Sequence, residues 1–83
     1  MTARVLYKSS VGRDLKRLTP QDRDRVLRQI RANLSAEPLR GDALHGEFEG
    51  LYKLWVGECR VVYALVGRDV LVLRIRHRAK AHD

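Results

Sequence analysis

The last third of the chain reads as three β-strands separated by two short turns, and this pattern constrains the fold more than any other feature. Residues 51–56, 59–66 and 70–75 are rich in Val, Leu, Tyr and Trp, which are the residues that strands favour. The first turn is Gly57-Glu58, a two-residue loop with Gly first, which suits a type II′ hairpin turn. The sequence therefore predicts an antiparallel meander in this region.

The short turn also predicts which side chains share a face of the sheet. With Gly57 and Glu58 as the loop, Val56 lies opposite Cys59 and Trp55 lies opposite Arg60. Because side chains alternate along a strand, one face is expected to be apolar and the other cationic. The expected apolar face carries Tyr52, Leu54, Val56, Val61, Tyr63, Leu65, Leu71, Leu73 and Ile75. The expected cationic face carries Lys53, Trp55, Arg60, Arg74, Arg76 and Arg78.

The first half of the chain predicts one strand and two helices. Residues 4–8 form a strand candidate, and apolar residues at helical spacing predict a short helix over residues 11–18, with Ser9 or Ser10 as its N-cap. Thr19-Pro20 predicts the start of a second helix, over residues 20–34, and residues 38–50 read as a loop. The buried stripe of this helix is expected to contain Val26 or Leu27, Ile30 and Leu34.

This order of elements predicts one α+β domain over residues 1–83. It consists of an N-terminal strand, two helices and then a three-stranded antiparallel meander, with the helices packed on one face of the sheet. The helices would cover the apolar face and leave the cationic face open.

The composition is that of a small basic protein with a packed core. The chain has 83 residues, 45% of them hydrophobic, and a formal net charge of +7. This charge favours nucleic acid or an acidic protein as partner, while the alternative is a solvated basic surface. One cysteine excludes an internal disulfide and fits a reducing cytosol. No stretch resembles a signal peptide or a membrane span, so we expect a cytoplasmic protein without a membrane partner.

The cationic face is the candidate functional site. Arginine binds phosphate through two parallel hydrogen bonds, and clustered cations stabilise the charge that develops during phosphoryl transfer. The alternative is that these residues form only the solvated side of the sheet. Trp55, opposite Arg60, either stacks on a nucleobase or packs beneath the guanidinium as a cation–π pair.

The remaining polar residues indicate no metal centre and no cofactor. The spacing of His45, His77 and His82 matches no usual zinc site, and the chain has no Gly-rich phosphate loop. His77 falls on the apolar face at the end of a strand, where a structural role is expected. His82 lies in the tail, where it is either a general acid or base or a terminal residue without a role. Cys59 is expected to pack as a small apolar residue.

Together these residues resemble the RelE/ParE superfamily of bacterial toxins, the RelE branch more than the gyrase-directed ParE branch. The resemblance covers nearly the whole chain, including the Asp14–Leu18 segment and the helix start at Thr19-Pro20. Its motifs are Leu44-His45-Gly46, Gly50-Leu51-Tyr52-Lys53-Leu54, Val56-Gly57-Glu58-Cys59-Arg60-Val61-Val62-Tyr63, Val70-Leu71-Val72-Leu73 and His77-Arg78.

The resemblance implies a RelE-like fold and a ribosome-dependent mRNA endonuclease. Such a toxin cuts the codon in the ribosomal A site by attack of the 2′-hydroxyl on the adjacent phosphate, without a metal. Lys53 matches a Lys or Arg of the family's active site, and Arg60 and Arg78 match two arginines that hold the scissile phosphate. His82 is the nearest residue to a catalytic tail Tyr of some members. The expected RNA-binding residues are Trp55, Arg74, Arg76 and Lys80.

The resemblance also implies the partners. These are a small RelB-like antitoxin that covers or distorts the basic site, the ribosome with its mRNA, and operator DNA bound through the toxin–antitoxin complex. Trp55 stands where some members carry a second catalytic lysine, and the tail Tyr is absent. Two alternatives therefore stay open, a ParE-like inhibitor of DNA gyrase and a non-catalytic co-repressor subunit.

Overall fold

Five strands and two α-helices make up the part of the chain that the structure, a computed structural model, describes. This part is residues 3–80, without the side chain of Lys80. Two short 3₁₀ helices, Gly46–Phe48 and Arg78–Lys80, complete it. In chain order the elements are β1 (Val5–Tyr7), α1 (Val11–Lys16), α2 (Pro20–Ala36), β2 (Asp42–Ala43), β3 (Leu51–Val56), β4 (Cys59–Val66) and β5 (Asp69–His77).

The strands form one mixed sheet with the order β1-β5-β4-β3-β2. The α+β class and the antiparallel meander β3-β4-β5 are confirmed. The count of four strands is wrong, because β2 adds a fifth strand that pairs antiparallel with β3. In addition, β1 pairs parallel with β5, so the sheet is mixed.

The β3–β4 hairpin has the predicted register. Val56 pairs with Cys59, and Trp55 pairs with Arg60. Gly57 has a φ of +58°, while no non-glycine residue within residues 3–80 has a positive φ. A positive φ at the first loop residue alone is what a type II′ turn requires, so the glycine fixes the register and, through it, the two faces of the sheet.

Both helices pack on one face of this sheet, as predicted. Val26, Ile30 and Leu34 of α2 are fully buried, whereas Leu27 is only half-buried. α2 extends two residues beyond the predicted end, to Ala36. α1 ends at Lys16 rather than residue 18, and Ser10 at its N-cap position makes no capping hydrogen bond with its side chain.

The start of α2 is stabilised by the predicted cap. The Thr19 hydroxyl oxygen accepts a hydrogen bond from the Asp22 main-chain N–H at 3.2 Å, and Pro20 occupies the first helical position. We expect Thr19→Ala to lower the free energy of unfolding by about 1 kcal/mol, because one N–H of the first turn loses its partner. Urea denaturation measures this loss. Thr19→Ser, which keeps the hydroxyl, is the control; equal stability of Thr19→Ala and wild type would contradict the capping role.

In β5 the predicted buried face is wrong for its first half. Val70 and Val72 are buried in the core, whereas Leu71 and Leu73 are not. The cause is a β-bulge: Val62 pairs with Arg74 but the next residue of β4 pairs with Val72, so Leu73 is an extra residue. A bulge reverses the alternation of side chains on its two sides. It therefore brings Leu71 and Leu73 to the face away from the helices, while Ile75 remains buried as predicted.

Tyr63 connects the core to the loop before β2. Its side chain is fully buried and stacks on Tyr52 with ring centroids 5.4 Å apart. The Tyr63 hydroxyl donates to the Pro38 carbonyl at 2.8 Å and accepts from the Gly41 N–H at 2.9 Å. Burial raises the pKa of this hydroxyl, so it stays a donor at neutral pH. These bonds hold β2 and the loop against the sheet.

Within residues 3–80, neither α-helix combines the length and the apolar composition needed to cross a bilayer.

Candidate functional site

The sheet face that the helices leave uncovered, called the open face below, has two chemically different halves. One half is a row of apolar side chains at directly paired positions of four strands. This apolar row contains Leu6, Leu51, Ala64 and Leu71. The other half carries cations on the neighbouring pairs of β3, β4 and β5. This cationic half contains Lys53, Arg60, Arg74 and Arg76. The open face is therefore less uniformly cationic than the sequence predicts.

A cavity of about 430 Å³ opens between these two halves. It is lined by Leu44, Phe48, Leu51, Lys53, Arg60, Val62, Leu73 and Arg74. Lys53, Val62 and Arg74 are successive partners across the sheet, which brings two of the cations to the same wall. The 3₁₀ helix before β3 contributes Phe48, and the bulge contributes Leu73. The cavity thus combines an apolar floor with three cationic side chains, which suits a ligand that has a flat apolar part and a negative charge.

The surroundings of Arg60 leave its hydrogen-bonding capacity and its charge unbalanced, and a bound anion would balance both. Its Nε–H is buried and has no hydrogen-bond partner among residues 3–80. Arg60 also lies directly opposite Arg76 on β5, and like charges on paired positions repel each other. A buried donor without a partner costs free energy. A bound phosphate would supply both the missing acceptor and the opposite charge.

Carboxylates balance only some of the cations. In the described part of the chain, no carboxylate lies within ion-pair distance of Lys53, Arg60 or Arg76. Arg74 Nε lies 3.3 Å from Asp14 Oδ2, and Arg78 Nε lies 3.6 Å from Glu58 Oε2. The three unpaired cations therefore give the cationic half a net positive charge.

The structure does not bring all the predicted site residues to the cavity. Lys53, Arg60 and Arg74 line it together. Arg78 lies beside the β3–β4 turn, where its main-chain N–H donates to the Glu58 carbonyl at 2.7 Å, and it is not a lining residue. Arg76 is on the open face but outside the lining set. His82 lies outside the described residues, as does the side chain of Lys80.

Trp55 lines a second groove, although it lies directly opposite Arg60, which lines the cavity. Its side chain is 47% exposed. This groove, of about 320 Å³, runs between α2 and the outer edge of β3. Its lining is Arg25, Gln29, Asn33, Arg40, Leu54, Trp55, Val56 and Gly57. Trp55 is not among the residues that line the cavity, so its role in binding a nucleobase stays a prediction.

Five lining residues of the cavity are not among the site residues that the sequence predicts, namely Leu44, Phe48, Leu51, Val62 and Leu73. Leu51 and Val62 lie on strands β3 and β4 beside predicted cations. Leu44 and Phe48 lie in the segment read as a plain loop, where large apolar residues on both sides of Gly46 were the available signal. Leu73 was assigned to the core, because simple alternation along β5 takes no account of the bulge.

The other chemical groups of the described chain form no second centre. No three His, Cys, Asp or Glu residues within residues 3–80 are grouped to hold a metal ion. Cys59 is buried in the core, as predicted, and burial raises the pKa of its thiol. His77 accepts a hydrogen bond from the Ala79 N–H at its Nδ1, 3.1 Å away, and its Nε2 lies 3.9 Å from Asp22 Oδ2. These contacts fit the structural role predicted for His77.

Comparison with known proteins shows that this two-helix layer on a mixed sheet is the fold of toxins from toxin–antitoxin systems. The family model described as the ParE toxin of the type II toxin–antitoxin system parDE matches residues 5–82. The chain therefore belongs to this family, and its predicted membership of the RelE/ParE superfamily is confirmed.

Solved structures from both named branches share the fold. A chain of the toxin–antitoxin complex RelBE2 from Mycobacterium tuberculosis is 31% identical with a TM-score of 0.90, over 96% of this chain and 95% of that chain. A chain of the RelE–RelB complex from Pyrococcus horikoshii is 26% identical with a TM-score of 0.73, over 98% and 100%. A chain of the ParDE system from P. aeruginosa, 14% identical with a TM-score of 0.69 over 92% and 96%, shares the fold alone. A comparison with curated proteins found no match.

Proposed function

We propose that this toxin is an endonuclease that cuts mRNA in the ribosomal A site without a metal ion. The observation that carries the proposal is the buried Arg60 Nε–H, which has no partner among residues 3–80 and belongs to a side chain that lines a cavity with Lys53 and Arg74. A nucleotide matches this cavity, because its base has a flat face that packs on apolar side chains and its phosphate is an anion. The M. tuberculosis relative, a RelBE2 complex, supports the RelE type of activity.

The proposed reaction is attack by a ribose 2′-oxygen on the adjacent phosphorus. The new P–O bond closes a 2′,3′-cyclic phosphate, and the bond to the 5′-oxygen of the next nucleotide breaks. The proton of the 2′-hydroxyl passes to a general base, and the departing 5′-oxygen receives a proton from a general acid. The pentacoordinate transition state carries additional negative charge, which Lys53 and Arg60 are placed to stabilise. The family resemblance makes His82 the candidate for one of the proton transfers.

Arg78 can join this site if it leaves Glu58. The two side chains are 67% and 57% exposed, with 3.6 Å between Nε and Oε2. An ion pair between exposed groups at this distance contributes little stability. A phosphodiester carries the same single negative charge as Glu58, but it offers two oxygens to the guanidinium in a bidentate contact. It can therefore displace this weak, exposed partner of Arg78. In this proposal Arg78 contacts the phosphate only when RNA is bound.

The proposed inhibitor is a cognate antitoxin of the RelB type. The M. tuberculosis and P. horikoshii neighbours are toxin–antitoxin complexes. The net charge of +7 and the unpaired cations of the open face favour an acidic segment of the partner. Binding there would block access of RNA, and binding of operator DNA by the complex is proposed to follow from the antitoxin.

Expression in bacterial cells without an antitoxin tests the proposal. We expect incorporation of labelled amino acids to stop before incorporation of labelled thymidine falls, because mRNA is the target. The matched control is Arg60→Ala, expressed to the same level. Early arrest of DNA synthesis, with protein synthesis initially intact, would contradict the endonuclease.

A second candidate function is inhibition of DNA gyrase, which the match to the ParE family model favours. A gyrase inhibitor needs a binding surface but no groups that act on a phosphate. Purified gyrase distinguishes the two functions: this alternative requires the purified toxin to block supercoiling of plasmid DNA, and the endonuclease requires it to leave supercoiling unchanged.

A further inference from the structure

Asp14 is a charged residue that neither the proposed reaction nor the core explains. It lies on α1 and is only 7% exposed, and no other charged residue within residues 3–80 is buried to this degree. Burying a carboxylate costs free energy unless its hydrogen bonds and its charge are satisfied. The hydrogen-bond partners of Asp14 therefore indicate which part of the structure it stabilises.

Both partners of Asp14 belong to β5, next to the cavity. Asp14 Oδ2 accepts a hydrogen bond from the Ile75 main-chain N–H at 3.0 Å and another from Arg74 Nε at 3.3 Å. These donors follow the extra residue of the bulge, Leu73. One carboxylate oxygen therefore contacts the backbone at the bulge and a cation that lines the cavity.

The sheet topology explains why a side chain is needed there. β1 pairs with β5 only as far as Tyr7 opposite Val72, and the Lys8 N–H to the Val72 carbonyl is the last main-chain bond between them. The chain then turns into α1, so the edge of β5 beyond this point has no neighbouring strand in the described structure. Asp14 supplies the acceptor that a longer β1 would have supplied to Ile75.

The bond to Arg74 has a different consequence, which concerns the direction of the guanidinium. The Arg74 guanidinium is held at its Nε, which donates to Asp14. Its two terminal nitrogens make no hydrogen bond within residues 3–80. Two parallel N–H donors are the arrangement that binds a phosphate in bidentate fashion. Arg74 lines the cavity from this fixed position, whereas an arginine without such a contact would have to lose side-chain entropy on binding.

We propose that Asp14 is a positioning residue that holds Arg74 in the orientation required to bind a phosphate of the RNA. This inference rests on the proposed function. Asp14 does not contact the ligand; it acts through Arg74, and through Ile75 it holds the bulge that places Leu73 in the floor of the cavity. A purely structural Asp14 would stabilise the fold without affecting the phosphate affinity of Arg74.

The test compares two substitutions that change the net charge equally. Asp14→Asn keeps an oxygen that can accept from Ile75 but removes the charge beside Arg74. Asp24→Asn removes a charge from the exposed surface of α2, where Asp24 lies 3.9 Å from Arg23. Inorganic pyrophosphate is the probe, titrated by NMR, so the result does not depend on the ribosome or on catalysis.

We expect Asp14→Asn to bind pyrophosphate about threefold to tenfold more weakly than Asp24→Asn, the effect of one misdirected charged contact. Arg74→Ala should lose a similar factor, and the double variant Asp14→Asn/Arg74→Ala should bind no more weakly than Arg74→Ala alone. Equal affinity of the two charge variants would overturn the inference. Multiplicative losses in the double variant would also overturn it, because Asp14 would then act independently of Arg74.

The wild-type protein gives a second measurement that does not require a variant to fold. The Nε–H proton of Arg74 should exchange slowly with water, because it is hydrogen-bonded to a buried carboxylate. Rapid exchange of this proton would overturn the inference. If wild type binds pyrophosphate, and Asp14→Asn weakens this binding only when Arg74 is present, but the protein cuts no mRNA, the proposed function fails while the positioning role of Asp14 stands.

Discussion

Arg60→Ala is expected to reduce mRNA cleavage about 10–100-fold, the effect of losing a charged phosphate contact worth roughly 1.5–3 kcal/mol. The Arg60 Nε–H is buried and has no hydrogen-bond partner in residues 3–80. This donor is therefore available to a phosphate oxygen in the free protein. The measurement is the single-turnover rate of cleavage with toxin in excess over mRNA-programmed ribosomes.

The same substitution is not expected to lower stability. Arg60→Ala removes a buried donor without an acceptor and a like charge directly opposite Arg76. Both features oppose folding, so the free energy of unfolding should stay equal or rise. Loss of activity together with unchanged or higher stability is the pattern of a group retained for function.

Arg68→Ala is the matched control for charge. Arg68 is exposed in the turn between β4 and β5 and does not line the cavity. The substitution removes the same charge at a position remote from the phosphate, so cleavage should stay within about twofold of wild type, since exposed sites away from a ligand contribute little. Equal losses in Arg60→Ala and Arg68→Ala would show that overall charge, rather than a specific contact, determines activity.

Gly41→Ala is expected to destabilise the protein by about 2–4 kcal/mol, through overpacking and loss of one hydrogen bond. A Cβ at residue 41 would lie 2.6 Å from the Lys53 carbonyl oxygen and 2.7 Å from the Tyr63 hydroxyl. The Gly41 N–H also donates to this hydroxyl at 2.9 Å. The loop would have to move away from β3, and thermal unfolding should occur at a lower temperature by about 4–8 °C for each kcal/mol lost.

Gly12→Ala is the control for Gly41→Ala. Gly12 lies in α1, a Cβ at this residue would meet nothing within 4 Å beyond its own helix and chain neighbours, and its φ is not positive. Alanine there should stabilise the protein by about 0.4–1 kcal/mol, because it restricts the unfolded chain without strain. If Gly41→Ala unfolds at the wild-type temperature, the close approach of the loop to Lys53 and Tyr63 is not a constraint on the fold.

The sequence predicts the hairpin well because two independent signals agree there. Alternating apolar residues define β3 and β4, and the Gly57-Glu58 loop allows only one register. Lys53 and Arg60 therefore share a face by prediction and share a cavity in the structure. The α2 start is equally well determined, since Thr19 and Pro20 both favour it.

The sequence is less informative where a single residue or a distant contact decides the structure. β5 contains Val or Leu at four consecutive positions, so alternation alone cannot choose between Val70/Val72 and Leu71/Leu73 as the buried pair. The bulge in the pairing with β4 decides this. Next to the bulge, the Ile75 N–H donates to Asp14, a residue 61 positions away in the chain. β2 has only two residues, too few to produce a pattern.

The cavity depends on these same features, which explains why only part of it was predicted. Its cations follow from the hairpin register and from Arg74. Its apolar floor requires the bulge for Leu73, and its wall requires the 3₁₀ helix that carries Phe48. A face read as uniformly basic is therefore a divided surface, with an apolar row beside a cationic half.

The most direct test of the proposed function is primer extension on a defined mRNA in a purified translation system. The reactions contain wild-type toxin or Arg60→Ala, each with and without ribosomes. We predict a new 5′ end within the A-site codon, present only with wild-type toxin and ribosomes together and reduced about 10–100-fold by Arg60→Ala. Suppose instead that the mRNA stays intact in all reactions, while expression of the same chain in cells without an antitoxin arrests growth. This result would contradict the endonuclease and favour the gyrase-directed alternative.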